Sequence, residues 1–411
     1  MKEVQGRSTG LVSRLLIARA LRENAFGMMA IVLPIGLRKE GLSLPLVGLL
    51  FTIALLGSST ITILLGRFIN RVGRRRVLLI TSILWVITTP LLFYKSLVGL
   101  VLVALLGSLS PNGKEVGPFL AVEQAVLSRL YGGPDRLRIY SWFNLVGYTS
   151  TATGALIAAT LGWVGSAKGL PWSFHLAIAS YGAIGLAQII LYAGLPSKVE
   201  HSSQAHNDNV SGPTLKPSRP VRRLVYTLSA LFALDAFGGG FIVQGLLVAW
   251  FHARFGFNLV QLGGLFFGTN LLSGVSSVVA NLAAKRYGLL NTMVFTHLPS
   301  NVLLALVPLM PTANLAVGML LFRHLFSQMD VPTRQAYTMA VVSPENRAYM
   351  ASWTNGIRNY GTALAPLASS ALFVLSSSGL PYLIAAGLKI VYDLTFYSVF
   401  RHIPIDHADE Q

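Results

Sequence analysis

Apolar runs of bilayer-crossing length recur from one end of this chain to the other. A spanning helix needs about 20 mostly apolar residues. Runs of that order lie near 12–37, 46–69, 77–94, 97–128, 139–164 and 172–194, and again near 223–251, 258–283, 291–311, 313–341, 349–376 and 380–400. Between the two sets of six lies a polar stretch with Ser202, Ser203, Asn207, Asp208 and three prolines. Such a composition cannot bury a core and reads as a linker. The expected organisation is an all-α integral membrane protein with twelve transmembrane helices: 1–197 as six helices, 198–220 as linker and 221–411 as six more. Only 11% of residues are charged and 53% are hydrophobic, against about a quarter charged in soluble domains. A soluble fold is excluded, and no length remains for a separate catalytic domain. The absence of cysteine removes disulfides, iron–sulfur clusters and thiolate zinc sites.

The net charge of +17 invites a nucleic-acid reading, but its distribution decides otherwise. Of the 32 Lys and Arg, 20 fall on one side of the expected topology, 5 on the other (Arg38, Lys39, Lys95, Lys168, Arg254), and 7 within spans. Positive residues collect in cytoplasmic loops, so both termini are expected in the cytoplasm of a multi-pass cell-membrane protein. The first run contains Arg19, Arg22 and Glu23 with no small-residue cleavage site after it, unlike a removable signal peptide. The partners implied are a lipid bilayer and a small-molecule substrate, with no nucleic acid.

The halves repeat. Asn24-Ala25-Phe26-Gly27 returns as Asp235-Ala236-Phe237-Gly238, 211 residues on. At the same separation Glu123-Gln124-Ala125, Arg136 and Ser141-Trp142-Phe143-Asn144 return as Arg334-Gln335-Ala336, Arg347 and Ser352-Trp353-Thr354-Asn355. Gly41, Leu44 and Gly48 match Gly256, Leu259 and Gly263 at 215, so a four-residue insertion is taken up and later given back. Parallel repeats related by an axis along the membrane normal build one class of transporter.

Between the second and third spans stands Gly66-Arg67-Phe68-Ile69-Asn70-Arg71-Val72-Gly73-Arg74-Arg75-Arg76. This tract resembles the signature loop of the major facilitator superfamily, Gly-x-x-x-Asp-Arg-x-Gly-Arg-Arg, with Gly66, Asn70, Arg71, Gly73, Arg74 and Arg75 as the matching positions. A weaker second copy, Asn281, Arg286 and Gly288, follows the eighth span. The resemblance implies two pseudo-symmetric six-helix bundles, alternating access and a monomer. The chain departs from the pattern at Asn70, which replaces the acid. It also lacks the mid-helix Arg of the fourth span and the Gly-Pro pair of the fifth that mark proton-exchanging drug exporters.

Charged side chains inside spans cost at least about 2.5 kcal/mol each, and so face a partner or a wet cavity. The acids are Glu23, Glu115, Glu123, Asp235, Asp330 and Asp393; the bases are Arg19, Arg22, Lys114, Arg323, Arg334, Arg358 and Lys389. Arg19 and Glu23 are four apart and suited to pair. Glu115 and Glu123 would lie within about 80° of each other on one continuous helix, and a buried carboxylate that binds a proton near neutral pH can couple transport to a proton gradient. Arg323, Asp330 and Arg334 would share one stripe, and the repeat sets Glu123 opposite Arg334, either as a cross-bundle pair that makes and breaks with the gate or as part of plain structural salt bridges. Asn24, Asn355, Arg358 and Asn359, with Asp235, make a polar ring suited to a polar substrate. Lys389 and Asp393, four apart, are expected to pair with each other.

Other motifs fail. Gly107 to Glu115 has the wrong spacing for a phosphate loop and reads as a broken piece of the fourth span, and no metal site or cofactor is indicated. No nucleophile–base–orienter set is visible, so an enzyme is not expected. The functional expectation is a secondary transporter, with proton-coupled export of an organic compound first. Uptake or exchange of an anionic metabolite is the alternative, and a transporter-like sensor or scaffold without flux stands third.

Overall fold

The computed structural model describes residues 2–94, 96–106, 109–114, 117–130, 133–168, 170–196, 218–343, 346–375 and 379–402. These residues form helices α1 (Lys2–Lys39), α2 (Leu44–Val72), α3 (Arg74–Thr88), α4 (Leu91–Tyr94), α5 (Leu97–Leu105), α6 (Pro118–Leu130), α7 (Gly133–Lys168) and α8 (Leu170–Ala193). The second half forms α9 (Arg219–Gly240), α10 (Gln244–Phe255), α11 (Leu259–Tyr287), α12 (Leu289–Leu306), α13 (Ala313–His324), α14 (Asp330–Ala340), α15 (Arg347–Leu375) and α16 (Leu380–Phe400). No strand occurs among the described residues. Joining α3 with α4, α5 with α6, α9 with α10 and α13 with α14 gives the twelve spans.

Three of the joined spans, expected as continuous helices over 97–128, 223–251 and 313–341, are interrupted. α5 stops at Leu105, where Pro111, Asn112 and Gly113 (φ +66°) form a turn before α6. α9 stops at the Gly238-Gly239-Gly240 run, and Leu325–Met329 separates α13 from α14. Glycine and proline make the first two breaks cheap, and backbone freed inside a membrane protein is tolerated where protein or water satisfies it. The breaks also undo two stripe arguments. Arg323 and Asp330 do not lie on one helix, and Glu115, outside the described residues, precedes the start of α6.

Eight described helical stretches are long and apolar enough to cross a membrane by themselves. The remainder are the fourth, fifth, tenth and eleventh spans, the same positions in both halves. Exposed apolar residues follow helical spacing: Ile80, Ile83 and Ile87 on α3, and Leu271, Val275, Val278 and Leu282 on α11. Stripes of this kind suit lipid rather than water. Hydroxyls stay satisfied locally by donating to the carbonyl four residues back, as Ser59 does to Leu55, Thr81 to Val77 and Thr338 to Arg334.

The chain resolves into two compact units, Met1–Asn207 with Val243–Phe267, and Asp208–Ile242 with Gly268–Gln411. Most of the expected linker, 198–217, lies outside the described residues. In the first unit α1 packs on α7 and α8, and α3 on α8; in the second α9 packs on α15 and α16, and α12 on α16. The second half therefore repeats the first in its helix pairings as well as in its sequence. Close approach depends on small residues in both: a Cβ on Gly154 would meet the Asn24 carbonyl, and one on Gly240 the Thr362 carbonyl. Within the first unit the Gly245 N–H donates to the Pro111 carbonyl (2.9 Å), which ties the start of α10 to the turn after α5.

The repeat extends to backbone conformation. Gly73 (φ 94°, ψ 142°) precedes α3 and Gly288 (φ 81°, ψ 162°) precedes α12, 215 residues apart. Both occupy a region of the backbone map open in practice only to glycine. Gly41 (φ +91°) and Gly256 (φ +69°) form a second such pair at the same separation.

Candidate functional site

Among the described residues each unit buries a cluster of charge. In the first, Arg22 on α1 and Glu123 on α6 form a two-armed ion pair at 2.7 and 3.2 Å, both side chains fully buried. Tyr192 on α8 accepts from Arg22 (2.6 Å) and donates to Glu123 (2.7 Å). Gln188 accepts from Arg22 and donates to the Ala18 carbonyl. One turn earlier Arg19 pairs with Glu23 at 3.1 Å, lies 3.9 Å over the Phe143 ring, and shares Glu23 with the Thr151 hydroxyl. Two cations meet two carboxylates, and every oxygen of Glu123 is used. Asn24 donates to Thr153 on α7 (2.9 Å).

The second cluster is built differently. Asp235, near the end of α9, is 1% exposed and is approached from four helices. Its Oδ1 takes Lys389 of α16 at 2.6 Å, with His297 Nε2 of α12 at 3.8 Å. Its Oδ2 takes Arg334 of α14 at 3.3 Å, with Arg358 of α15 at 4.0 Å. Arg334 holds Asp330 more closely, at 2.7 Å. Asp393, one turn beyond Lys389, faces away from it: its two oxygens take His297 Nδ1 (2.8 Å) and Asn301 Nδ2 (2.9 Å). The expected Lys389–Asp393 pair is replaced by these interhelical contacts, because each partner points to a different neighbouring helix.

Arg323, 7% exposed, adds a fourth strong base, and its Nε has no partner in this cluster. Four permanent cations therefore face three carboxylates, with one imidazole between two of the acids. Arg358 is the most open member, its side chain 34% exposed. On the same helix Asn355 is exposed and Asn359 half-buried.

Glu123 is held within its own unit by Arg22, and Arg334 within its own by Asp330 with Asp235. Glu115 and the side chains of Gly66, Asn70 and Arg71 lie outside the described residues. Of the signature loop, Arg74 is buried, and Arg75 donates to the Ala193 carbonyl at the end of α8 (2.7 Å), where Arg14 donates to Gly194. His297, Asn301, Gln188 and Tyr192 are not among the residues expected at the site. Their signal in the sequence is the spacing of four between uncharged polar groups inside apolar spans, His297 with Asn301 and Gln188 with Tyr192. A cavity of about 480 Å³ between the start of α9 and the end of α16, lined by Arg219, Arg223, Thr227 and Phe400, contains none of these residues.

A repeated all-helical membrane fold with buried ion-pair clusters defines a secondary transporter. The chain belongs to the Major Facilitator Superfamily, whose sequence model matches residues 15–366. It is 23% identical over 412 residues, with 92% of each chain covered, to the uncharacterized membrane protein YJR124C of Saccharomyces cerevisiae. In fold it is similar to the nucleoside transporter NupG (TM-score 0.70, 15% identity, 95% of this chain and 99% of that one). It is also similar to the xylose transporter XylE from E. coli in an inward open conformation (TM-score 0.70, 16% identity, 97% and 98%). A third similar structure is a bacterial homologue of the iron transporter ferroportin (TM-score 0.72, 14% identity, 94% and 98%). At such identities these structures establish the fold and leave the cargo open.

Proposed function

We propose that this chain is a proton-coupled exporter of a small organic compound, working by alternating access as a monomer in the cell membrane with both termini cytoplasmic. The observation that carries the reading is Asp235: a buried carboxylate shared among Lys389, Arg334, Arg358 and His297 on four helices. An acid with several competing partners exchanges them at small cost, and partner exchange is how a proton is converted into helix movement. Arg22 with Glu123, and Arg19 with Glu23, hold the first unit together while this occurs. Asp330 and Arg334 carry the reserve pair, and Asn24, Asn355, Arg358 and Asn359 supply polar contacts for the cargo.

The test works with the natural cargo unidentified. Accumulation of a lipophilic fluorescent cation such as ethidium is measured in cells with and without the protein, before and after collapse of the proton gradient. Lower accumulation that vanishes with the gradient supports export, and Asp235→Asn then abolishes it. Equal accumulation in both cell types removes the export of such cations.

A second reading, uptake or exchange of an anionic metabolite, is favoured by the surplus of cations in the second cluster and the openness of Arg358. Arg358→Ala then weakens binding of small carboxylates and phosphates to the purified protein, and unchanged binding removes the motive. Flux of either cargo in proteoliposomes containing only this chain eliminates a sensor or scaffold role.

A further inference from the structure

We infer that His297 carries the coupled proton and that its protonation loosens the Lys389–Asp235 contact. The inference rests on the transport being proton-coupled, and it names a group outside the acids on which that reading is built.

The imidazole is buried on α12 between two carboxylates of two other helices. A carboxylate can only accept. With Nδ1 2.8 Å from Asp393 Oδ1, the neutral ring therefore places its hydrogen on Nδ1. Asn301, whose Nδ2 is 3.2 Å from the same nitrogen, gives one of its two hydrogens to the other oxygen of Asp393 at the shorter distance of 2.9 Å. The tautomer is thereby fixed, and the Nε2 lone pair faces Asp235 Oδ1 across 3.8 Å. Two lone pairs opposed at that distance make no hydrogen bond.

A proton arriving at Nε2 changes the contact from opposed lone pairs to a donor aimed at a carboxylate oxygen. That oxygen is the one Lys389 holds at 2.6 Å. The imidazolium and the ammonium then compete for it. The other groups facing the pair cannot absorb the added charge: Arg334 and Arg358 already crowd Oδ2 of Asp235, Arg323 stands near Asp330, and Asp330 is committed to Arg334. Tyr392 of α16 packs in a T-shaped contact with the imidazole, with centroids 6.1 Å apart, and its phenol is no acceptor for a second proton. Among these side chains only an imidazole has an ordinary titration range between about pH 5 and 8. No bond to carbon is made or broken: the proton enters on Nε2 and leaves from it.

The experiment uses the full chain in nanodiscs. Exchange of each imidazole C2 hydrogen, read by mass spectrometry from pH 5 to 9, gives His297 its own titration curve, with exposed His402 as the reference. The expected result is an exchange rate at His297 that changes with pH, with a profile that Asp393→Asn alters because the imidazolium loses its anion. Backbone amide exchange in α9 and α16 is compared at pH 5.5 and 8. The wild type, corrected for intrinsic rates, exchanges at least about threefold faster at the lower pH, and His297→Gln removes the difference. A flat imidazole curve, or an amide difference that persists in His297→Gln, overturns the inference. Neither readout requires a cargo, so absence of ethidium transport removes the export of such cations without deciding the role of His297.

Discussion

The two buried charge clusters are built from equivalent spans with the signs reversed. In the first unit the cation Arg22 comes from the first span and the anion Glu123 from the fourth; in the second the anion Asp235 comes from the seventh and the cation Arg334 from the tenth. The third charge also changes helix. Arg19 reaches from the first span into the space left by Gly147 on the fifth, where a Cβ would lie 2.6 Å from its guanidinium. At the repeat-related positions Ala230 replaces Arg19 and Arg358 replaces Gly147. The repeated arrangement thus gives a closed cluster in one unit, with charges matched and carboxylate oxygens filled, and an open one in the other, with surplus cations around a shared acid. Saturation favours a fixed structure. Competition for one acceptor favours rearrangement.

The largest expected effect falls on the saturated cluster. Glu123→Ala strands Arg22 in the interior and should destabilise the protein by about 3–5 kcal/mol, measured by reversible unfolding in detergent. Replacing both residues by methionine should recover most of that loss. If the single substitution costs less than about 1 kcal/mol, the first cluster is not a closed structural element.

A smaller loss of stability and a larger loss of function are expected from Asp235→Asn. Arg334 keeps Asp330 at 2.7 Å, so the cost should be about 1.5–3 kcal/mol, the range for hydrogen bonds to charged groups. Proton-driven flux should disappear in the same variant. A variant that unfolds as readily as Glu123→Ala would erase the contrast between the clusters.

The smallest effect tests what the halves have in common. Gly73→Ala and Gly288→Ala each force a side chain into a glycine-only conformation, and each should cost about 1–3 kcal/mol. Thermal unfolding of the two variants should agree to within about 1 kcal/mol. A larger gap would mean that the turns before α3 and α12 are not equivalent.

The span count and the repeat are readable from the sequence because both rest on patterns along one chain. The partners of the charged residues are not. Stripe arguments assume an unbroken helix, and the turns at Pro111–Gly113 and Leu325–Met329 rotate α6 and α14 relative to the helices before them. They also fix only a direction around a helix, whereas Lys389 and Asp393 part company because α9 and α12 approach α16 on different sides. His297 and Gln188 escape notice for a different reason: a search for costly groups weighs formal charge, and both are neutral polar residues whose importance comes from the acid or base they orient.

Among the described residues the fourth, fifth, tenth and eleventh spans hold no single helix both long and apolar enough to cross, and they are neighbours in pairs, the fourth with the fifth and the tenth with the eleventh. This has a consequence for biogenesis. The interrupted fourth and tenth segments offer the insertion machinery unpaired backbone and too little apolar length, so each should leave the translocation channel as one hairpin with the continuous helix that follows it. Chains truncated after residue 130 should insert their last segment incompletely, and chains extended to residue 168 should insert it fully, as read by the accessibility of engineered cysteines in this naturally cysteine-free protein.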